Sequence, residues 1–335
     1  IVINKVAIIG SSTWGTTLGI ILARTGVPVT ILTRTSSEAD ELNSYREHRR
    51  FLPSVTFPQS LAASSDAVEA ICEANLAIIA VPSDRFRSNL REIKVFLPPD
   101  IAVLSVAKGL EMPRGRRMSQ IMEEELPLAL HSGICVLSGP NLAKEIIQGK
   151  PASTVIAGRN GDKLAAVQDI LMSVTFRVYT SQDVVGVELG GALKNIIALG
   201  AGFADGLEVG DNTKAALITR GLAEITRLGV AAGAQPMTFA GLAGLGDVIA
   251  TCASRLSRNR HVGEQLAKGK RWPEIRESMD NVAEGVITTG AALKLAQEFR
   301  VDMPITQVTQ RVLHEGLPAK EAIAELMSRP PREEW

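Results

Sequence analysis

Seven short Val- and Ile-rich runs, at residues 6–9, 29–32, 76–81, 102–106, 134–137, 154–157 and 177–179, alternate with helix-like segments, and then the alternation stops. Repetition of strand and helix builds a parallel sheet with helices on its faces, because a parallel strand can be reached only by a crossover. Most of the runs are apolar throughout and show no polar alternation, as strands covered on both faces do. The segments between them include 15–24, 116–126 and 163–172. Beyond about Thr180 no strand pattern follows. Long Ala-, Leu-, Gly- and Ile-rich helical stretches take over at 184–203, 214–228, 259–267, 288–299 and 305–314, with a shorter one at 319–327. The expected fold is α/β: a Rossmann-like doubly wound sheet domain over 1–182, an all-helical domain over 183–328 and a frayed tail at 329–335. A chain of 335 residues is long enough for two cores.

The first of those helical stretches carries only two charged side chains between Asp183 and Asp205, Glu188 and Lys194, and the lysine lies at its centre. A helix apolar on nearly every face is buried, and removing an ammonium from water is costly unless it is paired or its pKa falls. Two readings stand: a catalytic amine, or a lysine that snorkels to solvent along a neighbouring surface. The stretch approaches membrane-span length, but its central Lys, Asn and Glu argue against lipid exposure. The opening IVINKVAIIG has no basic n-region or cleavage site and reads as a strand.

Equal numbers of basic and acidic residues, 36 of each, argue against a general nucleic-acid or membrane-surface binder. Phosphate binding must then come from local placement of cations and backbone amides. Cys72, Cys135 and Cys252 are dispersed and without CxxC spacing, which gives neither a disulfide framework nor a zinc site and points to a reducing, cytoplasmic setting. His48, His131, His261 and His314 show no metal spacing and read as surface residues, so no metal is expected.

Gly10-Ser11-Ser12-Thr13-Trp14-Gly15 directly follows the first strand and opens a helix, the context of a dinucleotide-binding turn. Ser12 replaces the middle glycine of G-x-G-x-x-G. Its Cβ should hold a pyrophosphate further from the backbone, while its hydroxyl offers a hydrogen bond in exchange. Arg34 follows the second strand, about 24 residues beyond Gly10, and suits the 2′-phosphate of NADP. NADP(H) is thus favoured and NAD(H) possible, since Glu38 and Asp40 lie close enough to serve the ribose hydroxyls instead.

Further motifs occur in a fixed order: Ser105-Val106-Ala107-Lys108-Gly109-Leu110-Glu111, Ser138-Gly139-Pro140-Asn141-Leu142-Ala143-Lys144-Glu145, Leu193-Lys194-Asn195, Gly244-Leu245-Gly246-Asp247, Ser257-Arg258-Asn259-Arg260 and Val282-Ala283-Glu284-Gly285. In this order and at these separations the chain resembles the bacterial NAD(P)-dependent sn-glycerol-3-phosphate dehydrogenases over nearly its whole length. It departs from their pattern at Ser12, at Thr33 for tryptophan, at Phe51 for tyrosine and at Asn141 for Ser or Thr. The resemblance implies reversible hydride transfer between sn-glycerol 3-phosphate and dihydroxyacetone phosphate, supplying glycerol 3-phosphate for phospholipid synthesis, and a homodimer. It implies Lys194 as proton acceptor and Lys108 as a contact of both cofactor and substrate. It further implies Gly139, Asn141, Asp247, Ser257, Arg258 and Asn259 as substrate contacts. The cofactor is implied against Ser11 to Trp14, Arg34, Phe51, Lys108, Ala143, Arg258, Val282 and Glu284.

These residue types suit the chemistry. Hydride loss from an alcohol needs a base for the hydroxyl proton, and a lysine with its pKa lowered by burial and a neighbouring cation, for which Lys108 is the candidate, provides one. Asp247 in its Gly-rich turn can accept from Lys194 or cap the following helix, and Thr251, four residues on, shares its face. Ser257-Arg258-Asn259 before a helix offers a guanidinium, a hydroxyl, an amide and free N–H groups to a phosphate. A β-hydroxyacid dehydrogenase of related architecture places lysine and asparagine one helical turn apart, whereas Lys194 and Asn195 are adjacent and point roughly 100° apart. A non-catalytic dinucleotide sensor has no use for a buried amine and carboxylate.

Overall fold

A computed structural model describes residues 2–279, 283–331, 333 and 334. The chain forms two compact units. The first comprises residues 1–108 and 116–188, and the second residues 109–115 and 189–335.

The first unit is built on an eight-stranded sheet. Its strands lie among β1 (Val6–Ile9), β2 (Val29–Leu32), β3 (Glu47–His48), β4 (Leu52–Thr56), β5 (Leu61–Ser64), β6 (Leu76–Ile79), β7 (Ala102–Ser105), β8 (Ile134–Ser138), β9 (Ala152–Gly158) and β10 (Phe176–Ser181). The order across the sheet is β10-β9-β8-β7-β6-β1-β2-β5, with β3 and β4 forming a separate antiparallel pair. Every residue of β1, β6, β7 and β8 is buried, which is why these strands are apolar without alternation.

All seven expected strands are present, and the sheet departs from expectation in two ways. First, β8 and β9 pair antiparallel, so the sheet is mixed. The only helix between them, Ala143–Ile147, spans about 7 Å at 1.5 Å per residue, too short for a crossover that must return along a strand of about 15 Å. Second, β5 and the β3–β4 pair were not expected. Leu-Ala-Ala-Ser has little strand preference, and Pro53 within β4 is tolerated only on an edge.

The second unit contains no strand among its described residues. Its central helix, Val184–Gly206, belongs to it from Leu189 onward, and Leu189, Leu193, Ala198, Leu199 and Ala201 are fully buried. This helix is long and apolar enough to cross a membrane by length and composition, but 89% of its most apolar window is buried inside the protein. Glu188, in the part assigned to the first unit, accepts from Ser119 N at 2.7 Å and Arg117 Nη1 at 2.6 Å, and so caps helix Met118–Glu125. The tail is more anchored than expected: Arg329 Nη2 donates to Asp302 at 2.7 Å and Arg220 Nη1 to the Glu334 carbonyl at 2.9 Å.

Helix Met118–Glu125 ends in an ion-pair cluster. Glu125 accepts from Arg91 at 2.8 Å, Arg87 at 2.7 Å and Lys94 at 3.4 Å. Arg91 foremost, with Arg87 and Lys94, holds its carboxyl down at about 2, against an ordinary value near 4.5. A depressed folded-state pKa stabilises the protein fully above the unfolded value, and the contribution is lost as pH falls toward 2. Glu125→Gln is therefore expected to cost about 1 kcal/mol at pH 7, the scale of a solvent-screened network. Its Tm deficit against the parent should shrink between pH 5 and pH 2, and a deficit independent of pH in calorimetry would show that the charge is not its source.

Candidate active site

The first unit holds the candidate dinucleotide turn. Gly10 has φ +96°, and a Cβ there would meet Val81 Cγ1 at 2.8 Å. A Cβ on Gly15 would lie 2.7 Å from Ala80 Cβ and 2.8 Å from the Gly10 carbonyl. The two glycines let helix Thr13–Ala23 start hard against the ends of β1 and β6, with its first N–H groups at the strand end where a pyrophosphate binds. Ser12 caps this helix: its Oγ accepts from Gly15 N at 3.1 Å and donates to Ala80 O at 2.7 Å. A hydroxyl has one proton. In this structure that proton is turned to the Ala80 carbonyl at the end of β6.

Around this turn lies a second layer of polar groups. Ser11 Oγ donates to the Glu38 carboxylate, whose other oxygen accepts from Arg34 N at 3.4 Å. His48 Nε2 lies 3.0 Å from the Ser11 carbonyl. His48 is buried, which corrects its reading as a surface histidine, and burial lowers its pKa. The Phe51 ring lies tilted against the His48 ring with centroids 4.7 Å apart, and Arg34 is exposed at the end of β2. The Trp14 indole N–H is buried without a protein partner, beside Phe176 with ring centroids 6.4 Å apart. The fit to a dinucleotide rests on the two glycines and on the backbone N–H groups that open helix Thr13–Ala23.

The C-terminal ends of β7 and β8 gather the other candidates of this unit. Lys108 Nζ donates to the Gly139 carbonyl at 2.7 Å. Asn141 Nδ2 donates to Thr154 Oγ1 at 3.0 Å, and Thr154 donates in turn to Ser138 O at 2.9 Å. Ala143 opens the short helix that follows. These are the strand ends at which ligands of open α/β sheets collect.

The second unit holds the buried amine. Lys194 is 7% exposed, so it does not snorkel, and its Nζ donates to Asp247 Oδ1 at 2.5 Å and to Thr251 Oγ1 at 2.7 Å. Asp247 is 1% exposed, and such a charge is tolerated in the interior only when paired. The approach depends on Gly190, where a Cβ would stand 2.5 Å from the Ala243 carbonyl, so only glycine lets the central helix touch the π-helical turn Leu242–Gly246. That turn runs continuously into helix Asp247–Ala253, of which Asp247 is the first residue. From the start of that helix its carboxylate faces Lys194. Burial pushes the neighbouring Cys252 thiol up to about 12, so it stays neutral and does not compete with Asp247 as a counter-charge.

Ser257 caps helix Arg258–Ala267, its Oγ accepting from Arg260 N at 3.2 Å, and the exposed Arg258 is the first residue of that helix. Asn259 Nδ2 donates to Asn195 Oδ1, and Gly285 N donates to Asn259 Oδ1, both at 2.9 Å. Glu284 opens helix Glu284–Phe299, while Val282 lies outside the described residues. Arg260, adjacent in sequence, is turned to Asp205 at 2.5 Å and belongs to a separate ion-pair cluster.

Comparison with known proteins now bears on this geometry. Residues 5–164 match the model of the N-terminal domain of NAD-dependent glycerol-3-phosphate dehydrogenase, and residues 183–324 match that of its C-terminal domain. The chain belongs to the NAD-dependent glycerol-3-phosphate dehydrogenase family. A glycerol-3-phosphate dehydrogenase (NAD(P)+) of Dehalococcoides mccartyi is 48% identical over 326 residues, 97% of this chain and 91% of that protein. One of Desulfitobacterium hafniense is 46% identical over 325 residues, again 97% and 91%. The crystal structure of glycerol-3-phosphate dehydrogenase from Coxiella burnetii superposes with a TM-score of 0.92 at 35% identity, covering 97% of this chain and 99% of that one. Within this glycerol-3-phosphate dehydrogenase fold, sequence reasoning missed the part played by Asn195 and by His48. Their partners lie 64 and 37 residues away, so no local spacing signals either one.

Proposed function

We propose that this chain interconverts sn-glycerol 3-phosphate and dihydroxyacetone phosphate, and so supplies glycerol 3-phosphate for phospholipid synthesis. The observation that carries the reading is the buried Lys194–Asp247–Thr251 cluster. The nicotinamide, when bound, carries the hydride. Lys194 moves the proton of the C2 oxygen, giving it to the carbonyl in reduction and taking it from the hydroxyl in oxidation. The hydrogen bonds to Asp247 and Thr251 fix where the ammonium stands. Asp247 keeps the charged form tolerable in the interior. Lys108, Gly139 and Asn141 serve the ligand at the ends of β7 and β8, and Ser257, Arg258 and Asn259 take the phosphate. The test is steady-state reduction of dihydroxyacetone phosphate with each reduced cofactor in turn. A protein that binds NADPH and turns over with neither cofactor would be a sensor.

NADP(H) is the preferred carrier in this reading, because Arg34 stands exposed where a 2′-phosphate would lie. Glu38 is already engaged with Ser11 and the Arg34 backbone, and is less available to ribose hydroxyls. Arg34→Ala is expected to weaken NADPH by about tenfold or more, the scale of a charge-assisted contact, and NADH much less. Equal losses for the two cofactors in a fluorescence titration would remove Arg34 from this role.

A further inference from the structure

Two buried amides lie in series beside the proposed phosphate site, and their polarity is fixed from one end. The Gly285 peptide N–H donates to Asn259 Oδ1, and Asn259 Nδ2 donates to Asn195 Oδ1. A peptide N–H can only donate, so Asn259 turns its oxygen toward Gly285 and its NH2 toward Asn195, which must answer with its own oxygen. Asn195 is 5% exposed and Asn259 8%, so water cannot replace either partner without loss. The frame around them is tight: a Cβ on Gly285 would lie 2.7 Å from the Asn195 carbonyl and 2.8 Å from Asn259 Oδ1. One N–H of the Asn259 amide is used on Asn195, and the amide carries a second.

We infer that Asn195 is a positioning residue for the substrate phosphate, fixing where the second N–H of Asn259 points. It differs from its neighbour in what it serves. Lys194 bonds Asp247 and Thr251 and acts on the reacting oxygen, whereas Asn195 acts through Asn259 at the start of helix Arg258–Ala267. With the amide locked at both ends, the phosphate meets an oriented donor that gives up no rotamer freedom on binding. The inference rests on Ser257, Arg258 and Asn259 being the phosphate site.

Asn195→Leu keeps the volume and removes the acceptor. It is expected to lower kcat/KM for dihydroxyacetone phosphate by about tenfold, to weaken competitive inhibition by inorganic phosphate by a similar factor, and to change kcat/KM for unphosphorylated dihydroxyacetone by less than about twofold. Asn259→Ala removes the donor that Asn195 orients, so the double variant should match Asn259→Ala alone. A merely structural role would move both substrates together. Equal losses for the two substrates, or single-variant factors that multiply in the double variant, overturn the inference. Should the leucine variant not fold, Asn195→Ser, which shortens the acceptor without adding bulk, is read in the same way. If the parent does not turn over dihydroxyacetone phosphate, the assigned reaction fails. If it does, and Asn195→Leu leaves phosphate discrimination intact, only this inference fails.

Discussion

Lys194→Met is expected to lower kcat for dihydroxyacetone phosphate reduction by at least about 10²-fold, the usual scale of a positioned proton-transfer group. The variant should also be less stable. Asp247 is 1% exposed and pairs with Lys194 at 2.5 Å, so removing the amine leaves a buried carboxylate without its counter-charge. Breaking a buried pair from one side costs about 3–5 kcal/mol, whereas replacing both partners with apolar groups is often neutral. Lys194→Met combined with Asp247→Leu is therefore expected to recover most of the lost Tm and none of the activity. The two readouts separate chemistry from folding, because a rate lost only through unfolding would return with the stability. NADPH affinity should hold in both variants, since the candidate dinucleotide turn belongs to the first unit. If folded Lys194→Met retains more than a tenth of the parent kcat, Lys194 is not the proton carrier.

What the sequence disclosed depended on how local each signal was. Strands buried on both faces are continuous apolar runs and were all legible. β5 was not, because Leu-Ala-Ala-Ser gains its strand conformation from pairing with β2 and not from its own preference. The antiparallel turn from β8 to β9 was hidden as well, since apolar runs carry no direction. In the site, Asp247 and Thr251 were legible as one helix face, and Lys194 as a charge lacking local company. That these three meet is a tertiary fact, with Lys194 and Asp247 separated by 53 residues. Ser12 shows the opposite limit. Its place in the degenerate glycine motif was plain, but the direction of its hydroxyl is set by the Ala80 carbonyl, 68 residues away.

Arg258→Ala is expected to raise KM for dihydroxyacetone phosphate by about 10- to 150-fold, equivalent to a charge-assisted contact of roughly 1.5 to 3 kcal/mol. Arg258 is exposed at the first position of its helix, beside the Asn259 amide and the backbone N–H groups of the helix start, an arrangement that suits an oxyanion with several acceptor oxygens. Ser257 accepts from Arg260 N through its Oγ, and its hydroxyl proton adds a donor to the group. Unphosphorylated dihydroxyacetone lacks the partner of all these groups, so it should react poorly with the parent and lose little more in Arg258→Ala. Comparing parent and variant on both substrates isolates the coupling between guanidinium and phosphate. Because the family precedent also places Arg258 against the cofactor, NADPH affinity must be measured on the same variant, and a matching loss there would move the effect from substrate to cofactor. A carboxylate-reading dehydrogenase predicts something different: a 3-oxo acid would be reduced faster than the phosphate ester, and Arg258→Ala would erase that preference. Equal losses for the phosphorylated and unphosphorylated substrates would exclude Arg258 as the phosphate ligand and return weight to the hydroxyacid alternative. A loss confined to the phosphorylated substrate, with NADPH affinity unchanged, fixes the phosphate at the start of helix Arg258–Ala267.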